Sequence, residues 1–108
     1  MSAITDSARG EDCQIRISGV CNFDRATTVW AHANGSAAGK GIGMKSPDLL
    51  GAYGCFACHQ CVDGQRPPPM GWTRDDVRLA FWQGHARSIL KLIEKGIVVL
   101  QRGKVLVA

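Results

Sequence analysis

The stretch Gly54-Cys55-Phe56-Ala57-Cys58-His59-Gln60-Cys61-Val62-Asp63 decides how this chain is read. It carries three of the five cysteines in 108 residues, two of them as Cys55-x-x-Cys58; the other two, Cys13 and Cys21, lie well upstream. Paired thiols from two separate segments are what a small domain uses to build a tetrahedral zinc knot. Cys61, three residues beyond Cys58, competes for a place, so Cys13, Cys21, Cys55 and Cys58 is the favoured set rather than the only one. Immediately beyond the knot, His59 and Asp63 stand at i and i+4, a spacing that puts both on one face of a short helix.

Cys55-x-x-Cys58-His59 also spells the c-type haem attachment pattern, and Met44 and Met70 offer axial sulfurs. Haem attachment belongs to exported chains, however, and leaves Cys13 and Cys21 without a role. The first twelve residues contain no apolar segment of the kind a signal peptide needs, so the cytoplasm is the expected compartment and reduced thiols or metal ligands are expected rather than disulfides. No apolar run approaches the ~18 residues of a membrane span. Thirteen basic against nine acidic residues give a formal charge of +4, which favours a polyanionic partner such as DNA. Zinc on four thiolates removes two charges, leaving about +2, so the charge argument is weaker than the bare count.

Working outward, residues 1–12 are polar, with a short helix at most. Cys13 to Cys21 alternates Ile15 and Ile17 with Arg16 and Ser18, a strand-like pattern, and Gly19 allows a turn that returns Cys21 beside Cys13. Thr27 to His32 is β-branched and aromatic and predicts a strand ending on a histidine. Residues 33–47 hold Gly35, Gly39, Gly41 and Gly43 and read as a loop. The spacing fits neither a P-loop nor a dinucleotide fingerprint, which leaves Lys40 and Lys45 as candidate phosphate contacts. Leu49 to Tyr53 is the return strand, and Cys58 to Asp63 a short helix. Arg66 and the Pro67-Pro68-Pro69 run form an extended connector, with Arg66 a third candidate contact to nucleic acid. Thr73 followed by Asp75 and Asp76 opens a helix that ends near Lys95 with Gly96 as its cap. Val77, Ala80, Phe81, Gly84 and Ser88 share one face, with Ile89, Leu92 and Ile93 nearby, while His85 reads as structural or exposed. Residues 97–100 and 105–107 form a terminal hairpin. The order predicts one α+β domain over 1–108: a zinc-stapled core at 8–64 and a helix-and-hairpin extension at 72–108.

His32 gains interest from its place at the end of a strand that pairs with the one leading to Cys55. A histidine on a hairpin and a His-x-x-x-Asp on the following helix make up a ββα-metal arrangement, in which one divalent ion and one histidine act on a phosphodiester. The set Cys13-Gln14-Ile15-Arg16-Ile17-x-Gly19-Val20-Cys21-Asn22, Ala31-His32, Pro47-Asp48-Leu49-Leu50 and Ala57-Cys58-His59-x-x-x-Asp63 resembles the YbcO-type nuclease family of phages and prophages, closely over about residues 8–63. That family is assigned to the HNH, or ββα-metal, endonuclease superfamily. The resemblance implies a zinc-stabilised HNH-like fold, DNA cleavage by a hydrolase in a bacterial host cell, and phage recombination or replication proteins as companions.

Three positions depart from the HNH pattern. Ala31 stands where Asp or His usually supplies a metal ligand, Asp48 matches the central asparagine, and Asp63 replaces the final His or Asn. The catalytic ion, Mg²⁺ or Mn²⁺, therefore falls to His59 and Asp63, with Asp48 and water as further ligands. His32 is the general base, or alternatively a ligand with the base elsewhere. The rival reading, supported by Ala31, is a non-catalytic zinc module that binds DNA or protein.

Overall fold

The computed structural model describes residues 2–33, 48–101 and 104–107. The glycine-rich segment, with Lys40 and Lys45, lies outside the described residues. Helix α1 (Ala3–Asp6) is followed by a single 3-10 turn (Arg25–Thr27) and strand β1 (Val29–His32). Strand β2 (Gly51–Gly54) leads directly into α2 (Phe56–Val62); then come α3 (Arg74–Glu94) and strands β3 (Val98–Gln101) and β4 (Lys104–Val107). The result is a small α+β structure with two separate two-stranded antiparallel sheets.

β1 and β2 pair in the register Val29↔Gly54 to His32↔Gly51, so His32 sits at the end of the hairpin remote from the turn into α2. The predicted return strand begins two residues later than its apolar approach, and α2 begins earlier than predicted. Cys55 is its N-cap, and the Cys55 sulfur accepts the Cys58 N–H. One thiol thus serves both as cluster member and as helix cap, a local economy that spacing alone does not reveal.

The predicted strand across Cys13–Cys21 is corrected by the structure: this segment forms turns and bends. Arg16 adopts φ 55° and Gly19 φ 78°, backbone that no strand contains, and Val20 N–H and Cys21 N–H both return to the Ile17 carbonyl. Ile15 and Ile17 are nonetheless buried between exposed Arg16 and Ser18. Burial alternates from Ile15 to Ser18 because a coil is wrapped over the core; among the described residues its backbone bond to the hairpin is Gln14 N–H to Tyr53 O at 2.7 Å.

α3 holds the molecule together. Thr73 and Asp76 form a reciprocal capping box at its start. At its end the Gly96 N–H bonds Ile93 O and the Ile97 N–H bonds Leu92 O, a Schellman closure made possible by Gly96 at φ 73°. Its buried face is the predicted one with Leu92 added. Two apolar clusters result. One gathers Ile15, Ile17, Ala31, the buried cysteines, Val77 and Phe81; the other gathers Ile4, Trp30, Tyr53, Leu92 and Val98. Trp30 and Tyr53, register partners across the hairpin, meet edge-to-face at 5.2 Å. Ser88 Oγ bonds Gly84 O at 2.6 Å and accepts the Tyr53 N–H at 2.9 Å, which fastens helix to strand inside the core. His85 is structural: its Nδ1 meets Gly51 O at 2.7 Å and its ring lies edge-on to Trp82.

A Cβ on Gly84 would stand 2.8 Å from Ile15 Cα and 2.9 Å from Gln14 O, both backbone atoms that cannot step aside. Gly84→Ala is therefore expected to destabilise the fold by roughly 1–3 kcal/mol through overpacking, despite alanine's better helix propensity. Exposed Gln83→Ala should stay within about 0.5 kcal/mol. Urea unfolding of the two variants checks the contrast.

Candidate metal centre and flanking histidine–aspartate pairs

The sulfurs of Cys13, Cys21, Cys55 and Cys58 all lie within 4.8 Å of one another. Tetrahedral bonds of about 2.3 Å to zinc require sulfurs about 3.8 Å apart, and Cys55 Sγ and Cys21 Sγ already stand at 3.9 Å. Backbone N–H groups point at the cluster: Arg16 N to Cys13 Sγ and Asn22 N to Cys55 Sγ, each 3.5 Å, and Cys58 N to Cys55 Sγ, 3.4 Å. Such donors favour thiolate over thiol. Without an ion, however, the thiols do not ionise alike. A hydrogen bond from Cys58 draws Cys13 down to about 5, and that same bond, with burial, drives Cys58 far upward. Burial and neighbouring thiolates push Cys21 up to about 11. Four soft donors that cannot all ionise together suit a dication, and the cluster could hold a metal ion such as zinc. Cys61 stays outside it: its buried thiol faces the Pro67 carbonyl at 3.8 Å, and burial raises its pKa. Because Cys55 and Cys58 face Cys13 and Cys21, the thiols of the Cys-x-x-Cys-His pattern are engaged with cysteines of the first segment.

The predicted catalytic residues fall into two pairs. His32 Nε2 lies 3.1 Å from Asp48 Oδ1, both side chains about half exposed. The hydrogen bond from His32, then one from Ser2, holds the Asp48 carboxyl below the usual carboxylate range. Since a carboxylate only accepts, the imidazole Nε2 is the donor in this contact. His59 Nε2 lies 3.1 Å from Asp63 Oδ2 on α2, each about one-third exposed. Among the described residues, the cysteine quartet is the one group of three or more ligand-bearing side chains gathered for a single ion; the two pairs do not merge into a second. Ala31 is fully buried in the cluster that also contains the cysteines and Ala57 of α2.

Arg66 is exposed and donates to Gln60 Oε1 at 3.0 Å. A supporting residue that spacing did not reveal is Arg74. Its guanidinium caps the C-terminal end of α2, bonding Cys61 O at 2.7 Å and Val62 O at 3.0 Å. Asp63 follows at that same end, where the helix dipole disfavours an acid and the Arg74 charge offsets it. Its sequence position, first in α3 after a proline connector, gives no hint of this contact.

Comparison with known proteins gives a consistent answer. The family described as "Putative nuclease YbcO" matches residues 2–97. Proteins of that description from Escherichia coli strain K12 and from Enterobacteria phage 82 are each 43% identical over 99 residues, covering 91% of this chain and 98% of theirs. A solved structure of a bacteriophage protein from E. coli K-12 MG1655 superposes with a TM-score of 0.66 at 31% identity, over 84% of this chain and 96% of that one. This chain therefore belongs to the family described as "Putative nuclease YbcO".

Proposed function

We propose that the chain is a metal-dependent endonuclease that hydrolyses DNA phosphodiester bonds, built as a zinc-stapled HNH-like domain. The observation that carries the reading is the His32–Asp48 pair, an imidazole fixed by a carboxylate at the end of a β-β-α unit, in a family described as nucleases. Asp48 orients the ring and keeps its proton on Nε2; neutral Nδ1 takes a proton from the attacking water. Such general-base help is typically worth ~10²–10⁴-fold. His59 and Asp63 offer one nitrogen and one oxygen donor on adjacent turns of α2, a fit for a hard divalent ion that completes its shell with water and phosphate. A bound Mg²⁺ or Mn²⁺ would supply charge neutralisation at the phosphate. Lys40, Lys45 and Arg66 are the proposed backbone contacts to DNA. Among the described residues, no helix is long and apolar enough to cross a membrane.

One observation favours a second reading. Ala31 occupies a position where an HNH enzyme usually presents a ligand, and the two pairs do not form a three-ligand group. A zinc module that binds DNA without cutting it would need neither.

Metal analysis tests the staple. Protein purified without added zinc should carry about one equivalent, and Cys55→Ser should lose it and unfold or aggregate, because a structural zinc contributes folding energy outright. Cys61→Ser should keep the metal; the reverse pattern would reassign the ligands.

A plasmid-nicking assay with Mg²⁺, Mn²⁺ or EDTA tests the chemistry. His32→Ala should abolish ion-dependent nicking while zinc content and melting temperature stay near wild type. His59→Ala and Asp63→Ala should also be inactive, with partial recovery in excess Mn²⁺, whereas His32→Ala should not recover. Recovery there would make His32 a ligand, and no nicking by the wild type with any ion would favour the non-catalytic module.

A further inference from the structure

We propose that Phe23, with Arg16 and Arg25, forms a binding site for an unpaired nucleotide on the outer side of the cysteine knot. Phe23 is 85% exposed, well above Phe56 at 54% and Trp82 at 37%, while Trp30, Tyr53 and Phe81 are buried. It sits at φ 56°, left-handed backbone that disfavours a bulky side chain. The surrounding loop holds it there. Asp24 N–H bonds Asn22 Oδ1 (2.9 Å), Asn22 Nδ2 bonds Thr27 Oγ1 (3.0 Å), Ala26 N–H bonds Asp24 Oδ1 (3.0 Å), and Asn22 N–H reaches the Cys55 sulfur. An exposed ring in a strained backbone position, fixed by a network anchored on the knot, contributes nothing to either core cluster. Glycine would serve the turn better.

Beside the ring lies a cleft of about 210 Å³ lined by Asp12, Cys13, Arg16, Phe23 and Arg25. Asp12 pairs with Arg25 through both carboxylate oxygens, at 2.6 and 3.2 Å, and so offsets one charge. Arg16 spends its side chain on Cys13 O and Gln14 Oε1. Each guanidinium has five N–H donors, so both retain donors for a phosphate. An aromatic face with flanking guanidiniums is the chemistry that takes a base by stacking and its phosphate by charge. Bases in a duplex are already stacked, so the occupant is a single-stranded or unpaired segment. The site rests on the nucleic-acid substrate proposed above, but not on the cleavage step.

The test is fluorescence anisotropy of the zinc-loaded full chain with short labelled single-stranded and duplex oligodeoxynucleotides, without Mg²⁺ or Mn²⁺. Phe23→Ala should weaken single-strand binding about 5- to 100-fold and leave duplex binding within about twofold. Phe23→Trp should retain affinity. Phe23→Gly should match the alanine variant in binding while melting no lower than wild type, because it relieves the left-handed backbone; this separates a binding role from a structural one. Arg16→Gln and Arg25→Gln should each reduce the salt dependence of single-strand binding by about one phosphate contact. Wild-type single-strand affinity in Phe23→Ala and Phe23→Gly, or equal losses for single strand and duplex, overturns the proposal. Phe23-dependent binding by a protein that never nicks DNA would overturn the nuclease reading alone.

Discussion

Everything else in this fold depends on the convergence of four sulfurs from two segments more than thirty residues apart in sequence. Residues 13–21 have no ladder and no helix to hold them; they are fixed at the knot and by a few bonds around Gln14. Gln14 donates its N–H to Tyr53 O and its own carbonyl accepts the Arg87 guanidinium. Without a metal, four adjacent thiols compete for ionisation, which is why Cys13 and Cys58 titrate in opposite directions. A dication would remove that conflict and hold in place the coil against which Gly84 packs at backbone distance.

The second constraint is the contact of α3 with β2, and it makes the trailing helix part of the core rather than an appendage. Tyr53 is the focus. Its N–H goes to Ser88, its hydroxyl meets Ser7 Oγ at 2.7 Å, and its ring packs on Trp30. Glu11 closes the same region by bonding Lys95 at 2.9 Å and Lys91 at 3.3 Å. Burial raises the Glu11 carboxyl, but these bonds and the Asp12 N–H outweigh it and hold the group below its ordinary value. The N-terminal segment, β2 and the last turns of α3 are thus tied at one end of the molecule, and the cysteine knot ties the other.

Most of this was legible where chemistry is local. The N-cap at Thr73, the glycine stop at Gly96, most of the buried face of α3, the terminal hairpin and the gathering of Cys13, Cys21, Cys55 and Cys58 all follow from residue type and spacing. The Cys13–Cys21 coil was misread because burial alternates in a strand and also in an extended loop pressed onto a core. Only the missing hydrogen-bond partners distinguish the two, and those are set by tertiary contacts. Arg74 and the Asp48 pairing with His32 were illegible for the same reason. Asp48 entered as a further metal ligand; its carboxylate faces the imidazole, and its carbonyl accepts the Trp30 indole N–H at 2.7 Å. That second bond, on a buried aromatic, positions the residue for the first.

Segment 55–63 carries two jobs on seven helical residues and their caps, and the division follows helical geometry. Cys58 and Cys61, spaced i and i+3, point inward and are fully buried, while His59 and Asp63, spaced i and i+4, reach partial exposure on a neighbouring stripe. A metal held by the cysteines would therefore fix the helix that presents His59 and Asp63, without sharing a ligand with them. The same geometry explains Ala31. That position lies inside the apolar cluster with Ile15 and Ile17, and a histidine or aspartate there would be buried among them unless a bound ion claimed its polar atom. Alanine keeps that face of β1 apolar, so the polar chemistry of the hairpin is concentrated in His32, at the half-exposed end of β1 where Asp48 is at hand.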